Sequence, residues 1–220
     1  MQPFRIQITL RTPMVEPRQA FHLDALLSAL RVQVAEKDCE AVDPRSIHHD
    51  LPLDRYTSPS GEWCFKASAF RLHRESEAFP WMMTSRSDLV KAGEDRQSGF
   101  LKLRSAAPNT AGGPFKSSKF TVDLVWASLE AWGIGDVDEV RELLTHCTHV
   151  GGRRGTSYGE VDKIEIQPVS ADECYWYQRA LPEDSESFPN QCAMALSIGH
   201  LRAPYWDRRE HRKVLVPVVG

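Results

Sequence analysis

Gly151-Gly152-Arg153-Arg154-Gly155-Thr156-Ser157-Tyr158-Gly159 stands between a segment with the period of a helix and a segment with the alternation of a strand. Before it, Val137, Val140, Leu143, Leu144 and Cys147 form a helical stripe, and Asp136 with Glu139 three residues on is an aspartate variant of the capping box. After it, Val161, Ile164 and Ile166 mark a strand. Four glycines in nine residues let the backbone take positive φ and approach a ligand closely. Arg153 and Arg154 supply planar, bidentate donors for phosphate. Thr156, Ser157 and Tyr158 add hydroxyls, and Tyr158 adds a ring face on which a base can stack. Together these groups suit a sugar-phosphate backbone better than a small metabolite. The plainer alternative is a helix-to-strand turn with solvent-facing charge.

Outward from this loop, the same two periods recur. Phe4, Ile6, Ile8 and Leu10 alternate with Arg5, Gln7 and Thr9, which predicts a half-buried strand. Pro13 and Pro17 make residues 12 to 18 an irregular connector. Leu23, Leu26, Leu27, Leu30 and Val34 have helical spacing and predict a helix over roughly Leu23 to Ala35. Residues 36 to 60 are polar and proline-punctuated, as in a loop, and Trp63 to Leu72 reads as a second strand. Phe120, Val122, Leu124 and Trp126 alternate as a third strand. The order strand, helix, strand, insertion, strand, helix, strand is that of an α+β, ferredoxin-like (RRM-like) β-α-β-β-α-β core spanning 1–167. Residues 73–119 are a basic insertion between its second and third strands, part hairpin and part mobile. Over 71–120 nine lysines and arginines face five acidic residues, a balance that favours a phosphate-facing patch. Residues 168–220 form a C-terminal extension with Tyr175, Trp176 and Tyr177, a linker over Leu181 to Pro189, and a closing strand at Val214-Leu215-Val216.

With 220 residues, 41% of them hydrophobic, the chain can bury a sizeable core. Its net charge of −3 means that any nucleic acid must meet a local patch rather than a polycation. Five scattered cysteines without a C-x-x-C pair point to a reducing compartment, without disulfides or zinc. A first strand beginning at Phe4 leaves no room for a signal peptide, and no apolar run approaches the roughly 18 residues of a membrane span. The expectation is a soluble cytoplasmic protein that meets no membrane. His48-His49-Asp50 lacks the second half of a metal site, and His146 and His149 suit caps or dipole partners at a helix end. No Walker, Rossmann, H-E-x-x-H or G-x-S-x-G motif is present, so no cofactor and no metal are expected.

LLTHCTHVGGRRGTSYGEV, Leu143 to Val161, resembles the G-loop of the RAMP superfamily, the RNA-binding subunits of CRISPR systems, including its "GxGxV"-like ending at Ser157 to Val161. ITLRTPMVEPRQAFHLDALLSAL, Ile8 to Leu30, is similar to the first strand and "LD-x-LL" helix of one branch, and Pro204-Tyr205-Trp206 looks like that branch too. That branch is the type IV CRISPR subunit of the Cas-five kind, which caps the guide RNA at its 5′ handle. The resemblance covers about 1 to 170, with the tail matching weakly. It implies a non-catalytic subunit of an RNA-guided complex. Its partners would be the 5′ handle of the crRNA, a Cas-seven-type backbone subunit, a large-subunit-like protein and a crRNA-processing nuclease, with target DNA a further candidate. The RNA-binding set would be Gly151, Gly152, Arg153, Arg154, Gly155, Thr156, Ser157 and Tyr158, with Tyr158 either stacking on a base or packing under the loop. In RAMP proteins of this kind the insertion forms a thumb. Here it would bring Lys102, Arg104, Lys116 and Lys119 to phosphates and offer Phe100 and Trp81 as wedges, although Trp81 could equally lie buried beneath it.

Two rival readings remain at this level. One is a metal-free, Cas-six-like endoribonuclease that processes precursor crRNA. There His22 would serve as general acid or base, with Lys116 and Tyr158; otherwise His22 packs against or caps the "LDALL" helix. The other is a structural interaction module whose Tyr175, Trp176, Tyr177, Tyr205 and Trp206 serve neighbours.

Overall fold

Phe4, Ile6 and Ile8 are fully buried while Arg5, Gln7 and Thr9 are not, and this alternation makes β1 (Gln2–Leu10) the centre of the main sheet. The computed structural model describes residues 1–37, 48–85, 89–97, 110, 115–152, 156–205 and 207–218. In chain order β1 is followed by β2 (Met14–Val15), α1 (Leu23–Lys37), β3 (Arg55–Thr57), β4 (Trp63–Phe65), β5 (Arg71–Arg74), β6 (Phe79–Ser85), α2 (Leu89–Gln97) and β7 (Ser118–Val125). Then come β8 (Ala127–Gly135), α3 (Val137–Leu144), β9 (Val161–Pro168), β10 (Leu181–Pro182), β11 (Met194–Gly199) and β12 (Arg212–Pro217). The chain is α+β.

Two compact units are present, residues 1–77 with 125–220, and residues 78–124. The larger holds a four-stranded antiparallel sheet in the order β5-β8-β1-β9. Helix α1 lies between β1 and β5 in the chain, and α3 between β8 and β9. Leu23, Leu26, Leu27 and Leu30 of α1 and Val140, Leu143 and Leu144 of α3 share one buried cluster with Phe4, Ile6, Ile8 and Leu129. Asp136 caps α3 as its sequence predicts, its carboxylate accepting from the N–H groups of Asp138 and Glu139. The other face of β8 carries Trp132 and Ile134 into a second cluster with Trp176, Tyr177, Leu181, Leu201 and Val214. That segment also forms a three-stranded sheet, β10-β12-β11. In the smaller unit, β6 and β7 pair as a hairpin from Phe79↔Leu124 to Ser85↔Ser118. No helix of the described residues is long and apolar enough to cross a membrane.

Five expectations are corrected. The third strand of the core is β8, Ala127–Gly135, and not Phe120 to Trp126, which belong mostly to the β6–β7 hairpin. The helix-facing residues of β8 are Ala127, Leu129 and Ala131, a weaker apolar signal than Phe120, Val122 and Leu124. The single strand expected over Trp63 to Leu72 is two, β4 and β5. Between them the backbone bonds irregularly: Ser68 N–H donates to the Trp132 carbonyl, Ala69 N–H to Gln178 and Phe70 N–H to Phe21. The polar stretch 36 to 60 contains β3, which pairs with β4, and the linker over Leu181 to Pro189 begins with β10. Trp176 and Tyr177, offered to neighbours on the sequence, are core residues.

The break between β4 and β5 is held by one side chain. Arg179 is fully buried, and its guanidinium donates to the carbonyls of Phe65 and Ala67 at 2.9 Å each, to Ala180 and Leu201, to the Tyr205 hydroxyl at 2.8 Å and to Asp24 at 3.3 Å. Tyr205 in turn donates to both Asp24 oxygens at 2.9 and 3.0 Å. Burial opposes the charge on Arg179, but Asp24 holds the guanidinium protonated, above its ordinary pKa. Replacing Arg179 with Met is expected to destabilise the protein by about 3–5 kcal/mol, since Asp24 is left buried without its partner. Denaturant unfolding measures this; a loss under about 1 kcal/mol would mean that water replaces the guanidinium.

Candidate nucleic-acid interface

The glycine-rich loop is closed at its base by a short ladder. Val150 N–H donates to the Gly159 carbonyl at 2.8 Å, Val161 N–H donates to Thr148 at 2.9 Å, and His149 bridges Glu160. The connector after β1 then anchors this base. Arg11 N–H donates to the Glu160 carbonyl at 2.8 Å and Gly159 N–H to the Pro13 carbonyl at 3.0 Å. The Thr12 hydroxyl donates to the Ser157 carbonyl at 2.8 Å and accepts from Glu160 N–H at 2.9 Å. Val15 forms a bridge with Gly152. Since β1 and β9 are neighbours in the sheet, the end of one and the start of the other meet where the loop must turn.

Two of the glycines have a steric reason. Gly159 sits at φ +69°, and a Cβ there would lie 2.1 Å from the Val150 carbonyl oxygen. Gly151 sits at φ +82° against the Met14 side chain. By contrast, a Cβ on Gly152 would meet nothing nearer than 3.9 Å. Thr156 and Ser157 are exposed, Tyr158 is half-buried, and Ser157 takes a left-handed φ of 64°. Arg153, Arg154 and Gly155 lie outside the described residues, as do Lys102, Arg104, Phe100 and Trp206. Lys116 and Lys119 belong to the smaller unit and are exposed, Lys119 on β7 opposite Thr84. Trp81 on β6 is 51% exposed, beside Met82 at 67%.

Arg11 and Thr12 were not singled out by sequence reasoning. Arg11 is paired with Asp162 at 2.9 Å and Glu160 at 3.3 Å, and the hydrogen bond it donates to Asp162 is the first reason its pKa is raised. A polar residue directly after a core strand was the only available signal for them. Beside the loop base, α3 and β9 border a groove of about 660 Å³ floored by Leu144, Val161, Ile164 and Ile166 and flanked by Arg141 and Lys163.

His22 is buried in the polar centre below α1. Its ring stacks on Tyr205 with centroids 4.8 Å apart and planes 7° apart, and its Nε2 has no hydrogen-bond partner. Burial first, and the Arg179 charge second, hold its pKa well below the ordinary imidazole value. His49 sets its ring edge-on to Trp63, 5.5 Å away, and among the described residues no three of His, Cys, Asp and Glu converge as a metal site.

Two measurements check this geometry. Gly159→Ala forces a methyl onto the Val150 carbonyl at positive φ and is expected to cost about 2 kcal/mol or more, whereas Gly61→Ala, at φ +86° in open space, costs only about 1 kcal/mol. Equal costs in parallel denaturant titrations would remove the close approach as the reason for Gly159. The second concerns pH. His22 stays neutral in the fold, while the unfolded chain takes up a proton below about pH 6.5, so stability falls as pH drops below that value, by at most about 1.4 kcal/mol per unit. His22→Phe keeps a ring against Tyr205 and is expected to flatten this slope between about pH 6.5 and 5. Parallel slopes for the two proteins would assign the acid sensitivity elsewhere.

Among curated proteins none matches this chain. The family model of the CRISPR type IV associated protein Csf3 matches residues 2–217, from the first residue of β1 to the last of β12. A β1-anchored glycine loop and a polar centre built from the "LDALL" helix and the C-terminal tyrosine thus lie within one matched length, and the chain belongs to the family of the CRISPR type IV associated protein Csf3.

Proposed function

We propose that this chain is the non-catalytic subunit of a type IV CRISPR ribonucleoprotein that binds and caps the 5′ handle of the crRNA. Family membership makes it a component of a type IV CRISPR complex, with other subunits as neighbours. The observation that carries the RNA-binding role is the glycine loop, placed between α3 and β9 and pinned by the connector after β1. The sheet order β5-β8-β1-β9, with α1 and α3 as its crossovers, supports the ferredoxin-like RAMP arrangement of the Cas-five kind. Backbone N–H groups of Gly151 and Gly152 and the guanidinium groups of Arg153 and Arg154 take phosphates, and Tyr158 supplies a ring at the same loop. The insertion acts as a thumb, with Lys102, Arg104, Lys116 and Lys119 on phosphates and Trp81 as its exposed wedge. A Cas-seven-type backbone subunit, a large-subunit-like protein and a crRNA-processing nuclease complete the assembly in the cytoplasm.

The burial of His22 supports the non-catalytic role. A general acid or base has to reach the 2′-hydroxyl or the leaving oxygen, and the His22 ring is stacked under Tyr205 instead.

Labelled repeat RNA incubated with the purified protein in EDTA, and resolved on native and denaturing gels, tests both halves. The expected result is a shifted, uncut RNA. Arg153→Ala/Arg154→Ala is expected to weaken the shift about tenfold or more and to lower the slope of log affinity against log salt by about 1.4, the value for two charges on a single strand. Specific cleavage by the wild-type protein, lost in His22→Ala, would replace the capping role with the nuclease. Unchanged affinity in the double-alanine variant would remove the glycine loop from the interface.

A further inference from the structure

The sheet β10-β12-β11 ends in a strand with an open side. β11 pairs with β12 without interruption from Met194↔Pro217 to Gly199↔Arg212. Its other edge presents N–H and C=O groups that no strand of the described residues takes up. Proteins blunt such edges with charge, proline, a bulge or a covering segment. Met194-Ala195-Leu196-Ser197-Ile198-Gly199 has no charge, no proline and no break in register. Leu196 is 58% exposed and Ile198 74% exposed, two rungs apart on one face, while Ala195 and Ser197 are exposed on the other. The two edges of the four-stranded sheet are different. β5 carries Arg71, His73 and Arg74, and β9 carries Asp162, Lys163 and Glu165. Those are guarded edges, and β11 is not.

The geometry points to β11 as a strand-addition site for another protein subunit of the type IV complex. The row of backbone donors and acceptors calls for an extended peptide, and Leu196 and Ile198 call for uncharged apolar residues at alternate positions of that peptide. Nucleic acid does not fit, because β11 offers neither a cation nor an aromatic face. A second copy of this chain fits poorly, because a six-residue strand with two large apolar rungs falls short of the roughly 1,000 Å² that holds a stable pair on its own. A neighbour in a multi-subunit assembly needs less from this edge, since other contacts supply the rest. The site rests on family membership and is independent of handle binding.

Hydrogen exchange read on the full chain, alone and within the purified complex of all subunits and crRNA, tests the site. The amides of β11 that face away from β12 are expected to slow by about tenfold or more on assembly. Leu196→Lys/Ile198→Lys places charge at exposed positions, so its melting temperature should match wild type while its incorporation into the complex falls about tenfold. RNA binding by the isolated variant should stay at the wild-type level, which separates this site from the glycine loop. Unchanged exchange on assembly, or wild-type incorporation of the double-lysine variant, would overturn the proposal. Light scattering of the isolated chain should give a monomer; a dimer that the same substitutions abolish would assign the edge to a second copy instead.

Discussion

One guanidinium ties three separated parts of the larger unit to its own segment. Arg179 reaches the first turn of α1 through Asp24, the break between β4 and β5 through the carbonyls of Phe65 and Ala67, and the C-terminal segment through Leu201 and Tyr205. Arginine suits this task because its donors are fixed in a plane and stay charged. A buried ion pair adds little net stability over an apolar filling of equal volume, so its value lies in specificity. Carbonyls that would otherwise belong to a regular ladder are satisfied by a side chain. The strand can therefore break after Phe65 without leaving buried acceptors unpaired.

That break shapes the surroundings of His22. The backbone at Ala69 forms an isolated bridge with His22, and Phe70 bonds to Phe21, so the entry to α1 rests on the irregular segment and not on a strand. At the far end of β1 the same economy appears in neutral form. Thr12 uses one hydroxyl as both donor and acceptor, to Ser157 and from Glu160, and thereby ties the loop to the connector after β1. The glycine loop is presented by its anchors: its base is hydrogen-bonded where β1 ends and β9 begins, and Thr156 and Ser157 are exposed on it.

Much of this was legible in the sequence. The alternation in Phe4 to Leu10 and the stripes from Leu23 and Val137 mark β1, α1 and α3 because each buries one face against a single cluster. The glycine loop was placed correctly between its helix and its strand for the same reason. β8 was missed because small residues fill its core face, and the gap between β4 and β5 because its cause, Arg179, lies more than 110 residues away. A lone arginine in Tyr177-Gln178-Arg179-Ala180 carries no local sign of burial. Arg11 and Thr12 were invisible for a related reason: their partners follow about 150 residues later, and only the pairing of β1 with β9 brings them close. The two motifs carried by resemblance, the "LDALL" helix and Pro204-Tyr205-Trp206, prove to touch, since Tyr205 donates to Asp24.

The Asp24–Tyr205 contact also orders events in time. The two residues are 181 positions apart, so at roughly 5–20 residues per second a nascent chain exposes Asp24 for about 10–40 s before Tyr205 has been made. Through that interval the first turn of α1 holds a hydrated carboxylate where the finished protein has a dry one. The sheet and helices can gather earlier, but the polar centre closes only when the segment from Leu201 to Tyr205 has left the ribosome. A prematurely terminated chain lacking that tail would therefore keep an open, wet centre, a state that quality-control proteases can distinguish from the completed subunit.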